Sequence, residues 1–316
     1  MRWQIKNNWW VNGALTLFVL ANGIAFFHAY QFTHFEEAEA LKTKSPRTLS
    51  SLQKLKTLLF GVSNPKPIPT KFPSLPYTTV LLQSNKKIAC WDIPVAQAKG
   101  TVVLFHGYGG EKSDMLGYAQ EFIAMGYETL LVDFMGSGES EGNETTIGAK
   151  EAENVKTAYE YVKSRTKSPV YLFGVSMGAV AILKALHDDA LQPDAIILEC
   201  PYGSLYKTTC ARFKNMGVPS FPLAGFLDFW GGAQNGFWAF SVVPIEYAKS
   251  VTCPTLLLYG EKDVNVSKEE TDDIFRHLAG PKQLKTFPLA GHENYLLKYR
   301  KEWVKQVNAF LKEQDV

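Results

Sequence analysis

Four short stretches of this 316-residue chain carry side chains that together can transfer an acyl group. The first is Gly174-Val175-Ser176-Met177-Gly178, a G-x-S-x-G sequence. A serine hydroxyl is a poor nucleophile until a base takes its proton. The base must in turn be held by an acid. Gly291-His292-Glu293 offers a base and Gly260-Glu261-Lys262-Asp263 offers acids. His106-Gly107-Tyr108-Gly109-Gly110 adds a glycine-rich turn whose backbone can approach a ligand closely.

Six histidines are present, and their positions separate them. His28 and His34 lie in or beside an N-terminal apolar run. His106 sits at a strand end and is expected to shape its loop. His187 ends a helix-like run and His277 lies within another. His292 alone follows a late strand in a glycine turn, so it is the expected base. The acid is open between Asp263 and Glu199, because both follow strand ends.

These stretches need elements to position them. Val170–Phe173 is a short apolar run bounded by Pro169 and Gly174, and Ala179–Leu186 has helical character. Ser176 therefore falls in a strand–turn–helix context, where a sharp turn demands glycine two residues to either side. The N-terminal amides of the helix then point at charge developing near the serine. Thr79–Gln83 and Lys87–Ile93 read as a hairpin turning at Ser84-Asn85. Thr101–Phe105, Glu128–Asp133, Ala195–Glu199, Thr255–Tyr259 and Gln283–Phe287 read as strands. Helix-period segments are expected at Ser113–Met125, Thr146–Arg165, Ser176–His187, Glu269–Leu278 and Tyr295–Leu311. That alternation predicts an α/β fold with a mainly parallel sheet covered on both faces. Each chemical stretch lies just past the C-terminal end of a strand, where open α/β sheets hold their sites.

The chain resembles the α/β-hydrolase superfamily, over about Tyr77 to Leu311. The order Ser, acid, His carries the resemblance, together with the G-x-S-x-G turn and the H-G-x-G strand end. It implies Ser176 as nucleophile, His292 as base and Asp263 as orienting acid. It also implies that the Tyr108 and Met177 amides form an oxyanion hole. Asp133-Phe134-Met135-Gly136-Ser137-Gly138-Glu139-Ser140 is similar to the family's D-x-R-G-x-G-x-S stretch. Met135 replaces the arginine, so the pairing that arginine would make is expected to be absent, with Asp133 structural.

The N-terminus is the second informative region. Trp9 to Phe32 is apolar and holds no formal charge, about the length that crosses a bilayer as a helix. Arg2 and Lys6 precede it, and Trp9, Trp10 and Tyr30 mark its ends. A single-span anchor over residues 1–32 is the expectation. A signal peptide and an interfacial or buried helix are the alternatives. Orientation stays open, since basic and acidic residues mix beyond the run. Residues 33–76 read as an amphipathic helix from Pro46 to Phe60, capped by Ser45 and stopped by Gly61, then a proline-rich linker. Residues 77–316 form the expected hydrolase domain. All the chemical motifs lie beyond Pro65, so that domain is expected to act without the N-terminal run.

A 201–249 segment between two strands is too long for a plain connection and reads as a small cap. Its aromatics, including Phe213, Phe226, Trp230, Phe237 and Trp238, either pack the cap or wall an acyl site. With 46% hydrophobic residues and a net charge of +2, the chain offers no electrostatic case for nucleic acid. No dinucleotide fingerprint or metal spacing implies a cofactor. Cys200 and Cys210 are candidates for a disulfide in an oxidising compartment.

The expected function is a serine hydrolase for carboxylic esters or thioesters, acting on small-molecule or lipid-like substrates near a membrane. An amidase or peptidase of the same fold and a non-catalytic binding module are the alternatives. Oligomeric state is not legible.

Overall fold

The computed structural model describes residues 9–36, 43 and 49–314, apart from the side chain of Leu59. The chain opens with helix α1 (Trp9–Thr33), one helix long and apolar enough to cross a membrane by length and composition. Helix α2 (Ser51–Phe60) follows. It starts at Ser51 because Ser50 and Gln53 form a capping box, each side chain satisfying the other's backbone amide. The expected start at Pro46 is therefore wrong, and Ser45 and Pro46 lie outside the described residues. Gly61 ends the helix as expected, with φ 84°.

The central sheet then builds in chain order. β1 (Thr78–Gln83) and β2 (Lys87–Ile93) form the hairpin. β3 (Thr101–Phe105), helix α3 (Leu116–Ala124) and β4 (Glu128–Val132) follow. Helix α4 (Glu151–Arg165) leads to β5 (Val170–Val175), helix α5 (Met177–Asp189) and β6 (Ala195–Glu199). Helices α6 (Leu205–Met216), α7 (Leu223–Asn235) and α8 (Pro244–Tyr247) come next, then β7 (Thr255–Gly260), α9 (Lys268–His277), β8 (Lys282–Phe287) and α10 (Tyr295–Lys312).

The eight strands lie in the order β1-β2-β4-β3-β5-β6-β7-β8. β1 with β2 and β2 with β4 are antiparallel, and the remaining pairs are parallel. β3, β5, β6 and β7 are buried almost throughout, which is why they read as continuous apolar runs. On one face, α4 and α5 close a core with Val103, Leu172 and Leu198. On the other, Trp303 of α10 meets Tyr118 and Phe122 of α3 and Phe173 of β5. Helix α5 is apolar nearly all round because it is buried nearly all round.

Helix α4 begins at Glu151, five residues later than expected. The Glu151 carboxylate accepts from Thr145 Oγ1, Thr146 N, Thr146 Oγ1 and Gly148 N, at 2.6–2.9 Å. These bonds hold residues 145–148 in a turn, with Ile147 at φ 56°. A β-branched residue there is strained, and it persists because the clamp over-determines it.

Helix α1 does not stand apart from the rest. Its C-terminal half docks on α7: Trp230 Nε1 donates to Asn22 Oδ1 at 3.2 Å and Gln234 Nε2 to Phe26 O at 2.8 Å. Phe18 packs edge-on to Phe226, and Phe26 to Trp230. Its N-terminal half, Trp9 to Leu20, is exposed.

Candidate active site

The tight turn after β5 presents Ser176 at φ 50° and ψ −110°. The neighbouring glycines have no room for a side chain. A Cβ on Gly174 would stand 2.6 Å from Ala179 N, and one on Gly178 2.4 Å from Phe105 O. Ser176 N donates to Glu199 O at 2.7 Å, which ties the turn to the next strand. Helix α5 starts at Met177, so its first amides lack acceptors within the helix and face the same space.

Three of the expected side chains meet here. Ser176 Oγ lies 3.1 Å from His292 Nε2, and His292 Nδ1 lies 2.7 Å from Asp263 Oδ2. A carboxylate only accepts, so Nδ1 carries the proton and Nε2 presents its lone pair to the serine hydroxyl. The other Asp263 oxygen accepts from Asn265 N at 2.8 Å and Val266 N at 3.0 Å. The carboxylate is fully buried and fixed at both oxygens.

Burial acts to lower the His292 pKa. The Asp263 carboxylate, 2.7 Å from Nδ1, acts the other way, and the imidazole sits above its ordinary value. Burial also pushes the Cys200 thiol up, which keeps it protonated at neutral pH. Donor atoms of Cys200, Asp263 and His292 lie within 4.8 Å of one another, a spacing a metal could use. Here His292 is already committed to Asp263 and Ser176.

Glu199, the competing acid, is engaged elsewhere. Its oxygens accept from Tyr118 Oη at 2.6 Å, Trp303 Nε1 at 3.0 Å and Tyr295 N at 3.3 Å. Burial raises its carboxyl to about 7 despite those bonds. It joins α3, α10 and the sheet.

The His106–Gly110 loop lies beside the serine. A Cβ on Gly107 would be 3.7 Å from Ser176 Cβ. His106 is buried and pinned between Gly107 O at 2.8 Å and Phe134 N, which donates to its Nε2 at 3.1 Å. Its Nδ1 therefore carries the proton, and burial lowers its pKa. Tyr108 is tied at its hydroxyl, which donates to Phe32 O of α1 at 2.7 Å and accepts from Asn64 Nδ2 at 2.8 Å.

Asp133 is structural, and its cation is not missing. Lys112, fully buried, donates to Asp133 from both its amide and its ammonium, and reaches Glu139 at 2.7 Å. The expected absence of that pairing is corrected: a lysine from the loop after β3 supplies it. Its ammonium also lies 4.6 Å from the centre of the Trp91 ring. All four cysteines are free thiols, so Cys200 and Cys210 form no disulfide.

A cavity of about 250 Å³ has Tyr108, of the loop beside Ser176, and Ile147 in its wall, while Ser176, Asp263 and His292 do not line it. Its walls come from α1, the segment around α2, α6 and α7, with Phe32, Leu58, Phe213, Met216, Leu227 and Phe237 among them. The aromatics of residues 201–249 thus divide. Phe213 and Phe237 face the cavity. Trp230 and Phe226 face α1, and Trp238 packs on Phe229 and Phe240. The contribution of residues 28–64 was not legible, because none carries a chemical motif.

Residues 96–223 match a family model described as serine aminopeptidase, S33. The fold resembles the Pyrococcus furiosus esterase Pf2001, with a TM-score of 0.67 and 24% identity over 80% of this chain and 99% of that one. The chain has the α/β-hydrolase fold. It is 24% identical over 305 residues, 95% of each chain, to YqkD of Bacillus subtilis, described as uncharacterized. It is also 26% identical over 196 residues to a zebrafish protein described as lysophosphatidylserine lipase ABHD12. That alignment covers 58% of this chain and 49% of the relative, so the chain spans about half the length of that relative.

Proposed function

We propose that this protein is a serine hydrolase that cleaves carboxylic esters or thioesters with apolar acyl chains, held at a membrane by α1. The observation that carries the reading is the continuous chain from Ser176 Oγ through His292 to the fixed Asp263 carboxylate. His292 Nε2 takes the hydroxyl proton as Ser176 Oγ attacks the acyl carbonyl. Asp263 keeps the imidazole in the required tautomer and stabilises the imidazolium. The Tyr108 and Met177 amides bond the oxyanion, where fixed donors are worth most. The tetrahedral intermediate collapses, and His292 returns the proton to the departing alcohol or thiol. Water, activated by the same base, then releases the acid.

The apolar cavity supports an acyl or lipid-like substrate. The relatives' descriptions, an esterase and a lysophosphatidylserine lipase, point the same way. The uncharged α1, with exposed Trp9 and Trp10 at its outer end, supports a membrane location. Its docking on α7 would hold the cavity close to the lipid.

The serine aminopeptidase description favours a second reading, an amide-cleaving enzyme with the same cluster. Triad geometry does not separate the two, since both pass through an acyl-enzyme. A competition panel of ester, thioester and amide substrates of one acyl group decides between them. The ester or thioester is expected to turn over fastest. Faster cleavage of the amide would transfer the assignment.

A further inference from the structure

Three polar atoms on the wall of the apolar cavity have no partner among the described residues. Asp228 is 6% exposed and Thr208 7%. Asp228 Oδ1 accepts from Thr209 Oγ1 at 2.7 Å, but Oδ2 is unbonded. Thr208 Oγ1 and His28 Nε2 are unbonded as well. The three residues come from α7, α6 and α1, and all line the one cavity. Buried polar atoms normally find partners, and an unmade bond carries the full desolvation penalty. Burial pushes the Asp228 carboxyl up to about 6, so at neutral pH it is mostly an ionised acceptor. An ionised acceptor in an apolar wall calls for a donor from the occupant.

We propose that this cavity binds a substrate whose apolar chain carries a hydroxyl remote from the scissile bond, donated to Asp228 Oδ2 and surrounded by Thr208 and His28. Arg212 lines the same cavity, so a second cation there would meet like charge, which favours a neutral hydroxyl over an ammonium. The shared chemistry is one hydroxyl on an aliphatic chain. It can belong to the acyl chain or to the alcohol. The assignment rests on the ester-hydrolase reading for its word substrate, but the binding site itself does not need turnover.

The test begins with binding. Octan-1-ol, octyl methyl ether and octylammonium are titrated calorimetrically into the full-length protein in lipid nanodiscs, against empty nanodiscs. Octan-1-ol is expected to bind roughly tenfold or more tighter than the ether, the effect of one hydrogen bond to a charged acceptor. Asp228→Asn should bring that ratio to about one, and Thr208→Val should lower it. If Asp228→Asn does not fold, the wild-type ratio and Thr208→Val still decide. Equal binding of alcohol and ether, as when water serves these atoms, overturns the proposal. Tighter binding of octylammonium also overturns it and makes Asp228 an amine site.

Two kinetic pairs then locate the hydroxyl: 8-hydroxyoctyl acetate against octyl acetate, and 4-nitrophenyl 8-hydroxyoctanoate against the octanoate. The hydroxylated member of one pair should have the higher kcat/KM. Preference in neither pair, with all esters turned over, overturns the substrate role. If no ester is turned over while octan-1-ol still outbinds the ether, the hydrolase reading fails and the hydroxyl site stands.

Discussion

Tyr108 Oη donates to Phe32 O at 2.7 Å, and this bond joins the loop beside Ser176 to the end of helix α1. Asn64 closes the joint from the other side. The N-terminal segment therefore supports the loop beside Ser176 and forms part of the cavity wall. Tyr108→Phe leaves two groups without a partner, at about 1–3 kcal/mol, or roughly 5- to 160-fold in kcat/KM if the loop shifts. Removing residues 1–64 should cost more, since a cavity wall goes too. Steady-state kinetics of both variants check this. Full activity in the truncated protein would separate the N-terminal segment from the site.

Asp263 and Glu199 should rank clearly. Asp263→Asn loses the tautomer lock and should lower turnover on the order of 10⁴-fold. Glu199→Gln disturbs a buried network that joins α3 and α10 to the sheet and makes no bond to His292, so it should lower thermal stability more than turnover. Paired measurements of kcat and Tm check the ranking. The reverse order would make Glu199 the acid.

The pH profile follows from His292. The base must be neutral to accept a proton, and its pKa is raised. Activity should therefore fall as pH drops through a midpoint above the ordinary imidazole value of about 6.5. Asp263→Asn removes part of what raises it, so the residual activity should have its midpoint at lower pH. Profiles of kcat/KM on one ester check both. A midpoint well below 6.5 would contradict the described surroundings of the imidazole.

Chain length should matter where the cavity is apolar. Each buried methylene contributes about 0.8 kcal/mol, or roughly fourfold in kcat/KM. A 4-nitrophenyl ester series should climb from acetate and level off where the cavity ends. Phe213→Ala and Phe237→Ala should flatten the climb more than Trp238→Ala, whose ring packs on Phe229 and Phe240. A preference for acetate would exclude the cavity as the acyl site.

The strands were legible because a sheet buried on both faces leaves continuous apolar runs, and β3 and β6 have the expected bounds. Ser176 and His292 stood out because a tight turn requires the glycines around them. The start of α4 was hidden, because the Glu151 clamp is made of side-chain bonds that helical periodicity does not register. Lys112 was hidden because its partner Asp133 is 21 positions away. Asp228 had one signal, a lone acid inside Phe226-Leu227-Asp228-Phe229-Trp230. The role of α1 was obscured by its hydropathy, which reports lipid affinity but not the docking on α7.

Ser176 is the proposed nucleophile, on which every other role here depends. The most direct measurement is intact mass and peptide mapping after exposure to a fluorophosphonate, on the wild type and on Ser176→Ala. The wild type should gain one adduct, mapped to Ser176, and Ser176→Ala should gain none while keeping the wild-type Tm. An adduct on another serine, or one that persists in Ser176→Ala, would contradict the account.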